Sequence, residues 1–362
     1  MQFGLFMMPI HPPHREYADA YDRDVAQLVL ADELGFSEAW LGEHFTERWE
    51  NAPAPDLLIA RALHATQQIK LGSGVTLLAL HNPVELAHRL AMLDHLARGR
   101  FQWGIGNGGI PTDLALFGIP TTGPKNVRAR SGEVLDVILK LWAAEDGFRY
   151  RGDFFDIDAP AMDPVTGRGL YMKPFQRPHP PIAVAASTPQ SASMKLAGER
   201  GWMPMTSSLL SSRFLSGHWD LVDEGASNAG REAKRSDWRI ARDIFVGPTG
   251  DIARQRARAT LGRTYEQHQF PSRVGTAQIV CTKLDDAMPD EDVDVDYLME
   301  NVWIVGDPTE CAQKIRALYH ACGGFGTLLS ITADSDDPDW DHESLTLLQR
   351  DVGSQLADLC VD

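Results

Sequence analysis

The sequence contains no long apolar run, no excess of basic residues and few cysteines. No stretch approaches the roughly 18 consecutive apolar residues of a membrane-spanning helix. The formal net charge of the 362 residues is −16, and nucleic acids and anionic membranes bind basic surfaces, so neither is expected as a partner. The four cysteines lie far apart without a Cys-x-x-Cys pair, which argues against a zinc site or a disulfide framework. These absences predict a cytoplasmic protein that binds no metal.

Short apolar segments alternate with helix-length amphipathic segments along the whole chain. Strands are predicted over residues 3–7, 38–41, 69–75, 100–106, 181–187, 201–207, 238–247 and 326–331, and within 300–308. Helices are predicted near residues 17–34, 55–65, 83–99 and 127–142, and after Asp307. Because such alternation produces parallel strands joined by helical crossovers, about eight units predict an α/β fold, a (β/α)8 TIM barrel forming a single domain over residues 1–362. A doubly wound open sheet is the alternative.

Two long segments interrupt the alternation and are expected as insertions at or beside the C-terminal mouth of the barrel. Residues 145–180 are rich in glycine, proline and aromatic residues and are compatible with a short hairpin. Residues 263–300 include the acidic run 285–297. Long loops in compact domains are commonly functional or disordered. We therefore expect the acidic run to form a mobile lid or its flank.

Polar side chains follow a predicted strand at Glu43 and His44, directly after the apolar residues Trp40 and Leu41. In a TIM barrel, ligands bind at the C-terminal ends of the strands. The position of these side chains therefore predicts a chemical role for them. The alternative is that His44 caps a helix or completes a hydrogen bond in the core.

Two other patterns are weak signals. Residues 104–109, "GIGNGG", match G-x-G-x-x-G by letter, but no amphipathic helix follows directly, as a dinucleotide-binding fingerprint requires. A loop whose missing side chains let a flat ligand approach the backbone is the better interpretation.

The pair His11 and His14 does not place two imidazoles on one face of a strand, so a metal-dependent hydrolase is a minor alternative.

A hydroxyl-rich loop leads into a predicted helix near residue 190. Its candidate anion ligands are Ser187, Thr188, Ser191 and Ser193. A helix N-terminus with free N–H groups and nearby hydroxyls can bind a phosphate. Arg128 and Arg130 could add charge-assisted contacts. An ordinary helix cap and two surface cations would give the same pattern.

Taken together, these segments resemble the bacterial luciferase-like, flavin-dependent monooxygenases. The similar segments are "FGLF", "LGFSEAWLGEHF", "IKLGSGVTLLALHNPVELAHRLAMLDHLARGRFQWGIGNG", "AVAAS" and "VGDPTECAQKI". They occur in the order of the family and cover most of the chain. Within the family, "WENAPAPDLLIA" and "SMKLAGERGWMP" look like the branch of two-component diketocamphane-type Baeyer–Villiger monooxygenases.

The resemblance implies an FMN-dependent monooxygenase that receives reduced FMN from a separate NAD(P)H:flavin reductase. Reduced FMN and O2 would form a C4a-peroxyflavin that oxygenates a small apolar carbonyl compound or related hydrocarbon. His44 would act near the flavin as a base or hydrogen-bond partner. The resemblance also implies a homodimer. A deazaflavin (F420)-dependent oxidoreductase of the same superfamily and a non-catalytic flavin-binding paralogue are the alternatives.

The resemblance also suggests residues around the flavin. Gly74 and Val75 fall where the family has a non-proline cis peptide under the flavin ring. Asn107 stands at a strand end where luciferase itself has an arginine that holds the flavin phosphate. The four hydroxyl residues and two arginines named above are therefore predicted to hold more of the phosphate. The predicted substrate pocket, for which core packing is the alternative, is lined by Met7, Met8, Trp40, Trp103 and Met205.

Overall fold

The computed structural model describes residues 1–273 and 276–361, in which strands and helices alternate. The strands are β1 (Gln2–Met7), β2 (Glu38–Leu41), β3 (Lys70–Leu77), β4 (Phe101–Gly106), β5 (Phe148–Arg151), β6 (Asp156–Ala159), β7 (Ile182–Ala186), β8 (Met203–Thr206), β9 (Arg239–Val246), β10 (Ile304–Gly306) and β11 (Thr327–Ile331). The α-helices begin with α1 (Tyr17–Leu34), α2 (Pro55–Ala65), α3 (Pro83–Ala97), α4 (Pro111–Leu116), α5 (Val127–Ala143), α6 (Ala192–Arg200), α7 (Leu215–Asn228) and α8 (Gly250–Ala257). They continue with α9 (Phe270–Arg273), α10 (Ala277–Val280), α11 (Val295–Asn301), α12 (Pro308–Ala321), α13 (Pro338–Leu347) and α14 (Gly353–Gln355).

Eight parallel strands close into a barrel in the order β1-β2-β3-β4-β7-β8-β9-β11, and β11 pairs with β1. The TIM-barrel prediction is therefore confirmed, and the open-sheet alternative is wrong because no barrel strand has a free edge. The short strand β10 pairs with the C-terminal half of β9, and β5 and β6 form an antiparallel hairpin within the insertion 145–180. In the described part of the chain, no helix is long and apolar enough to cross a membrane.

Successive side chains of the barrel strands point alternately into the barrel interior and toward the surrounding helices. Trp40, Ala183, Met205, Ala241 and Leu329 come from five different strands and form one buried cluster, which fills the interior. The intervening residues belong to the larger cluster that includes side chains of the helices, because successive side chains on a strand point to opposite faces. The barrel is thus a packed core, and its binding surface lies at the strand ends.

A buried ion pair closes the interior at the N-terminal ends of the strands. Glu38 accepts two hydrogen bonds of 3.0 Å from the guanidinium of Arg239 and a third, of 2.8 Å, from the indole N–H of Trp40. Glu38 and Arg239 are 2% and 8% exposed, so the two charges have little access to water. This end of the barrel therefore depends on the pairing of its charges.

The insertion 263–300 packs with α8 and with the ends of β9 and β10 in a second hydrophobic core. A π-helical turn, Arg258–Gly262, precedes it; the insertion contains a second one, Tyr265–Gln269, and continues through α9, α10 and α11. Phe245 at the end of β9 packs in this core with Tyr265, Leu298 and Trp303. Val293 and Val295 of the acidic run are buried here as well, so apolar contacts anchor the run to the domain; its mobility stays a prediction.

Candidate active site

His44 lies directly beyond β2, at the C-terminal mouth of the barrel, between two carboxylates. Its Nδ1 is 3.1 Å from Oδ2 of Asp113, and its Nε2 is 3.1 Å from Oε2 of Glu50. Asp113, on α4, is held in place because its Oδ1 accepts hydrogen bonds from the backbone N–H groups of Phe45 and Thr46. The imidazole is mostly buried, with 14% of the side chain exposed. Both ring nitrogens therefore face negative charge in a site with little water.

This environment determines the charge of the imidazole. Burial alone would lower the pKa of His44, but hydrogen bonds and Coulomb attraction from Asp113 and Glu50 outweigh burial and raise it to about 9. Burial would likewise raise the pKa of Glu50, yet hydrogen bonds from His268 and His44 lower it to about 2. At neutral pH His44 is thus an imidazolium that donates a hydrogen bond from each nitrogen. This charge state favours a role for His44 as a hydrogen-bond donor over a role as a general base.

Glu43 has a different position from its neighbour. Its Oε2 accepts a hydrogen bond of 2.6 Å from the backbone N–H of Leu77, and its Oε1 is 2.9 Å from Nε2 of His81. The side chain is buried. Glu43 therefore joins the segment after β2 to the end of β3, and it stabilises these two strand ends next to the mouth.

The floor of the mouth is built from residues with little or no side chain. The peptide bond between Gly74 and Val75 is cis, as the family resemblance implies. A Cβ on Gly106 would lie 2.5 Å from a methyl carbon of Val75, and a Cβ on Gly74 would lie 2.8 Å from the Cβ of Trp40. Asn107 is exposed at the end of β4. The missing side chains at Gly106 and Gly74 therefore let Val75 and Trp40 pack closely against the strand backbones.

The predicted phosphate ligands lie at the loop between β7 and α6. Ser187 and Thr188 are exposed, and the hydroxyls of Ser191 and Ser193 are 2.9 Å apart at the start of α6. The buried His218 contacts the carbonyl of Thr188 at 2.8 Å and fixes the loop backbone, which leaves the hydroxyls outside.

The two arginines predicted to bind the phosphate differ in their contacts with the rest of the protein. Arg130 donates from Nε to the carbonyl of Ala79 at 2.8 Å, and its guanidinium lies 4.8 Å from the ring centroid of Phe155. Arg128 is exposed, and no salt bridge joins it to any described residue. Arg128 is therefore the arginine more readily available for an anion.

The predicted pocket residues divide into two groups. Met8 lies at the mouth, where its sulfur would be 2.5 Å from a Cβ on Gly42, and Met205 and Trp40 belong to the interior cluster. Met7 and Trp103 are fully buried in the layer between strands and helices, and Trp103 packs edge-on against Trp142 at 5.2 Å. Their location favours core packing, the alternative that the sequence left open.

The insertion 263–300 reaches both sides of the mouth. At one end of the π-helical turn, the hydroxyl of Tyr265 donates to Oδ2 of Asp243 on β9 at 2.9 Å. At the other end, Nε2 of His268 is 3.0 Å from Oε1 of Glu50. The turn therefore passes over the C-terminal ends of β11 and β1, the two strands that lie between β9 and β2.

His11 and His14 are not brought together. His11 is buried between Asp24 and Asp334, at 3.2 and 3.0 Å, and His14 is exposed. A cavity of about 200 Å³ borders this cluster, between α1 and α13, and none of the predicted flavin ligands lines it. Within residues 1–273 and 276–361, no group of three or more histidine, cysteine, aspartate or glutamate side chains could hold a metal ion.

Comparison with known proteins agrees with this architecture. Residues 1–324 match the model of the family described as luciferase-like monooxygenase. The chain is 32% identical over 362 aligned residues to 2,5-diketocamphane 1,2-monooxygenase 1 of Pseudomonas putida, with 97% of this chain and 98% of that protein covered.

Two solved structures extend the comparison. The oxygenating constituent of 3,6-diketocamphane monooxygenase from Pseudomonas putida, a type II Baeyer–Villiger monooxygenase in complex with FMN, superposes with a TM-score of 0.93 at 30% identity and covers 100% of this chain and 99% of its own. The coenzyme F420-dependent tetrahydromethanopterin reductase of Methanopyrus kandleri, at 20% identity and a TM-score of 0.70 with 98% of both chains covered, shares the fold alone. The sequence motifs, the fold and the family match all agree, and the chain belongs to the luciferase-like monooxygenase family.

Proposed function

We propose that the protein is an FMN-dependent monooxygenase, the oxygenating component of a two-component system, and that it oxygenates a small apolar carbonyl compound or related hydrocarbon. The observation that carries the proposal is the His44 imidazole, held between Asp113 and Glu50 at the C-terminal mouth of the barrel. The full-length similarity to diketocamphane monooxygenases supports the same activity.

The residues at the mouth fit FMN. Gly74, Val75 and Asn107 would face the flavin ring, because they lie near the C-terminal ends of β3 and β4, where ligands bind in a TIM barrel. The phosphate would lie near Arg128 and the hydroxyls of Ser187, Thr188, Ser191 and Ser193. When bound, reduced FMN supplies the electrons that activate O2.

His44 would contribute a fixed positive charge and an N–H donor. A cationic donor at the reaction centre stabilises negative charge that develops on oxygen during transfer. Asp113 accepts from Nδ1 and thereby fixes the ring orientation. His44 therefore holds its proton at neutral pH and steadies the reacting oxygen.

An apolar substrate suits the surroundings of the floor. Val75 and Phe45 pack against the buried Leu77 and Leu114, and Phe45 meets Phe117 edge-on at 4.9 Å. Phe117 is 41% exposed. A hydrophobic wall with few polar groups binds small apolar molecules and excludes water from the reaction.

A separate NAD(P)H:flavin reductase is part of the proposal. The segment after the glycine-rich residues 104–109 forms only the six-residue α4, which is too short to open a dinucleotide-binding unit. The chain would therefore receive its flavin already reduced. The cytoplasm, where FMN and the reductase are available, is the proposed location.

The homodimer is proposed to form through α2 and α3. Leu57 on α2 and Met92 and Leu96 on α3 are 69%, 57% and 55% exposed, which is unusual for large apolar side chains grouped on adjacent helices. Sedimentation of the wild type and of Met92→Glu would test it. A dimer that becomes a monomer in the variant supports this face, whereas a wild-type monomer contradicts it.

The activity is tested by mixing the reduced FMN-loaded enzyme with O2 and a bicyclic ketone. We expect oxygen uptake, lactone formation and reoxidised FMN in equal amounts. Reduced F420 in place of FMN, without O2, is the control reaction. Hydride transfer between F420 and the ketone, with no lactone from FMN, would contradict the proposal and favour the deazaflavin alternative.

Cofactor choice gives a separate prediction. Reduced FMN should bind more tightly than reduced riboflavin, and Arg128→Ala should weaken FMN binding about 10-fold or more, the scale of one hydrogen bond to a charged group. Riboflavin affinity should not change. The matched control is Arg350→Ala, which removes an exposed arginine from a π-helical turn far along the chain. Equal affinities for the two flavins in the wild type would show that the phosphate is not recognised.

A further inference from the structure

Glu50 is a buried carboxylate shared by two imidazoles. Its Oε2 faces Nε2 of His44 at 3.1 Å, and its Oε1 faces Nε2 of His268 at 3.0 Å. The side chains of Glu50 and His268 are 10% and 9% exposed. A buried carboxylate requires hydrogen-bond partners for both oxygens, since an unpaired one is costly. His268, at 3.0 Å, and the amide of the next residue, Gln269, which donates at 3.4 Å, hold the second oxygen of Glu50, and His268 is the closer of the two. The first oxygen is left directed at His44.

His268 is itself fixed from two sides. Its ring stacks on Trp49, with centroids 5.7 Å apart and an angle of 13° between the planes. Trp49 and Glu50 are joined to the segment that follows β1, because the N–H of His11 donates to the carbonyl of Trp49 at 2.8 Å and Ile10 pairs with Glu50. The position of His268 thus depends on the barrel below it and on the π-helical turn Tyr265–Gln269 that carries it.

We propose that His268 is a positioning residue for His44 and acts through Glu50, so that the insertion 263–300 maintains the positive charge at the active site. The proposal rests on the proposed function, in which the His44 imidazolium assists oxygen transfer. It goes further by assigning a role to a residue of the insertion that does not touch His44.

The charges around this chain of contacts set the direction of the effect. His44 faces Asp113 and Glu50, Glu50 faces His44 and His268, and His268 faces Glu50 and, at 3.9 Å, Glu47. Loss of the His268 ring would open space beside Glu50, so that water could enter and the carboxylate could turn away from His44. With one carboxylate less, burial lowers the pKa of His44 from about 9.

The consequence is a change in pH dependence. If the imidazolium is the active form, product formation falls as the pH rises through the pKa of His44, which is about 9 in the wild type. In His268→Ala this fall should occur at lower pH. One pH unit below the wild-type midpoint, a pKa lowered by about one to two units should reduce the product rate of the variant by about 2- to 10-fold relative to its fully protonated form, whereas the wild type keeps most of its rate. His268→Gln, whose amide N–H can still donate to Glu50, should restore most of the profile.

The experiment combines kinetics with a readout that does not need activity. NMR titration of ring-labelled histidines in the cofactor-free chain measures the pKa of His44 in the wild type, His268→Ala, His268→Gln and Glu50→Gln. We expect a lower pKa in His268→Ala and Glu50→Gln and a value near wild type in His268→Gln. The control is His320→Ala, which removes an exposed histidine of α12. Circular dichroism verifies that each variant is folded.

Two results would overturn the proposal. One is an unchanged His44 titration in His268→Ala, and the other is a product rate lowered equally at all pH values, which a purely structural role predicts. If His268→Ala does not fold, His268→Phe decides, because it keeps a ring beside Trp49 but cannot donate to Glu50; coupling requires it to lower the pKa of His44 while His268→Gln keeps the pKa near wild type. Absence of oxygen uptake in the wild type would contradict the proposed function alone, since the titration measures the coupling independently.

Discussion

His44→Ala is expected to lower product formation by about 100-fold or more, the scale on which a positioned acid–base group contributes to catalysis. The folded structure should survive, because Glu50 keeps its contact with His268 and Asp113 keeps the backbone N–H groups of Phe45 and Thr46. FMN binding should be largely retained, since the floor and the phosphate loop do not include His44. The lost product should reappear as hydrogen peroxide.

Product, peroxide and oxygen uptake measured together test this expectation. His44→Gln is the matched variant, because it keeps a hydrogen-bonding side chain but cannot carry a positive charge; we expect a loss similar to that of His44→Ala. Wild-type product rates in both variants would show that His44 only supports the structure. Loss of oxygen uptake with flavin still bound would place His44 before the reaction with O2.

Arg239→Met is expected to lower the free energy of unfolding by about 3–5 kcal/mol, because it leaves the carboxylate of Glu38 buried without a counter-charge. Among the described residues, Glu38 would then keep one hydrogen-bond partner, the indole N–H of Trp40 at 2.8 Å. The double variant Glu38→Gln with Arg239→Met should regain much of the loss, since no charge is then left unpaired and Trp40 still has an acceptor. Urea unfolding of the wild type, Arg239→Met, Glu38→Gln and the double variant measures the coupling.

The catalytic parameters provide the control for this second prediction. The ion pair lies at the N-terminal ends of β2 and β9, and His44 lies beyond the C-terminal end of β2. At a temperature where both variants are folded, oxygen uptake should therefore equal that of the wild type. A loss below about 1 kcal/mol in Arg239→Met would mean that water reaches Glu38, contrary to its burial.

Local patterns determined most of the helices. The predicted bounds 17–34 and 55–65 coincide with α1 and α2, and Asp307 begins α12 with a capping box. Amphipathic spacing and caps act within a few residues, so the sequence contains them completely. The strand predicted within residues 300–308 is shorter in the structure, because α11 continues to Asn301 and β10 begins only at Ile304. A short apolar run does not distinguish the end of a buried helix from a buried strand.

The sequence by itself also determined that His44 follows a strand, that the strands are parallel and that the chain resembles one family. Only the tertiary structure decided the partners of His44. Asp113 is 69 residues away from it along the chain, and Glu50 meets His268 across 218 residues. Spacing along the chain carries no information about which loops meet over a barrel mouth. Closure of the barrel and packing of the insertion bring these side chains together, and the buried contacts between them give the imidazole its charge.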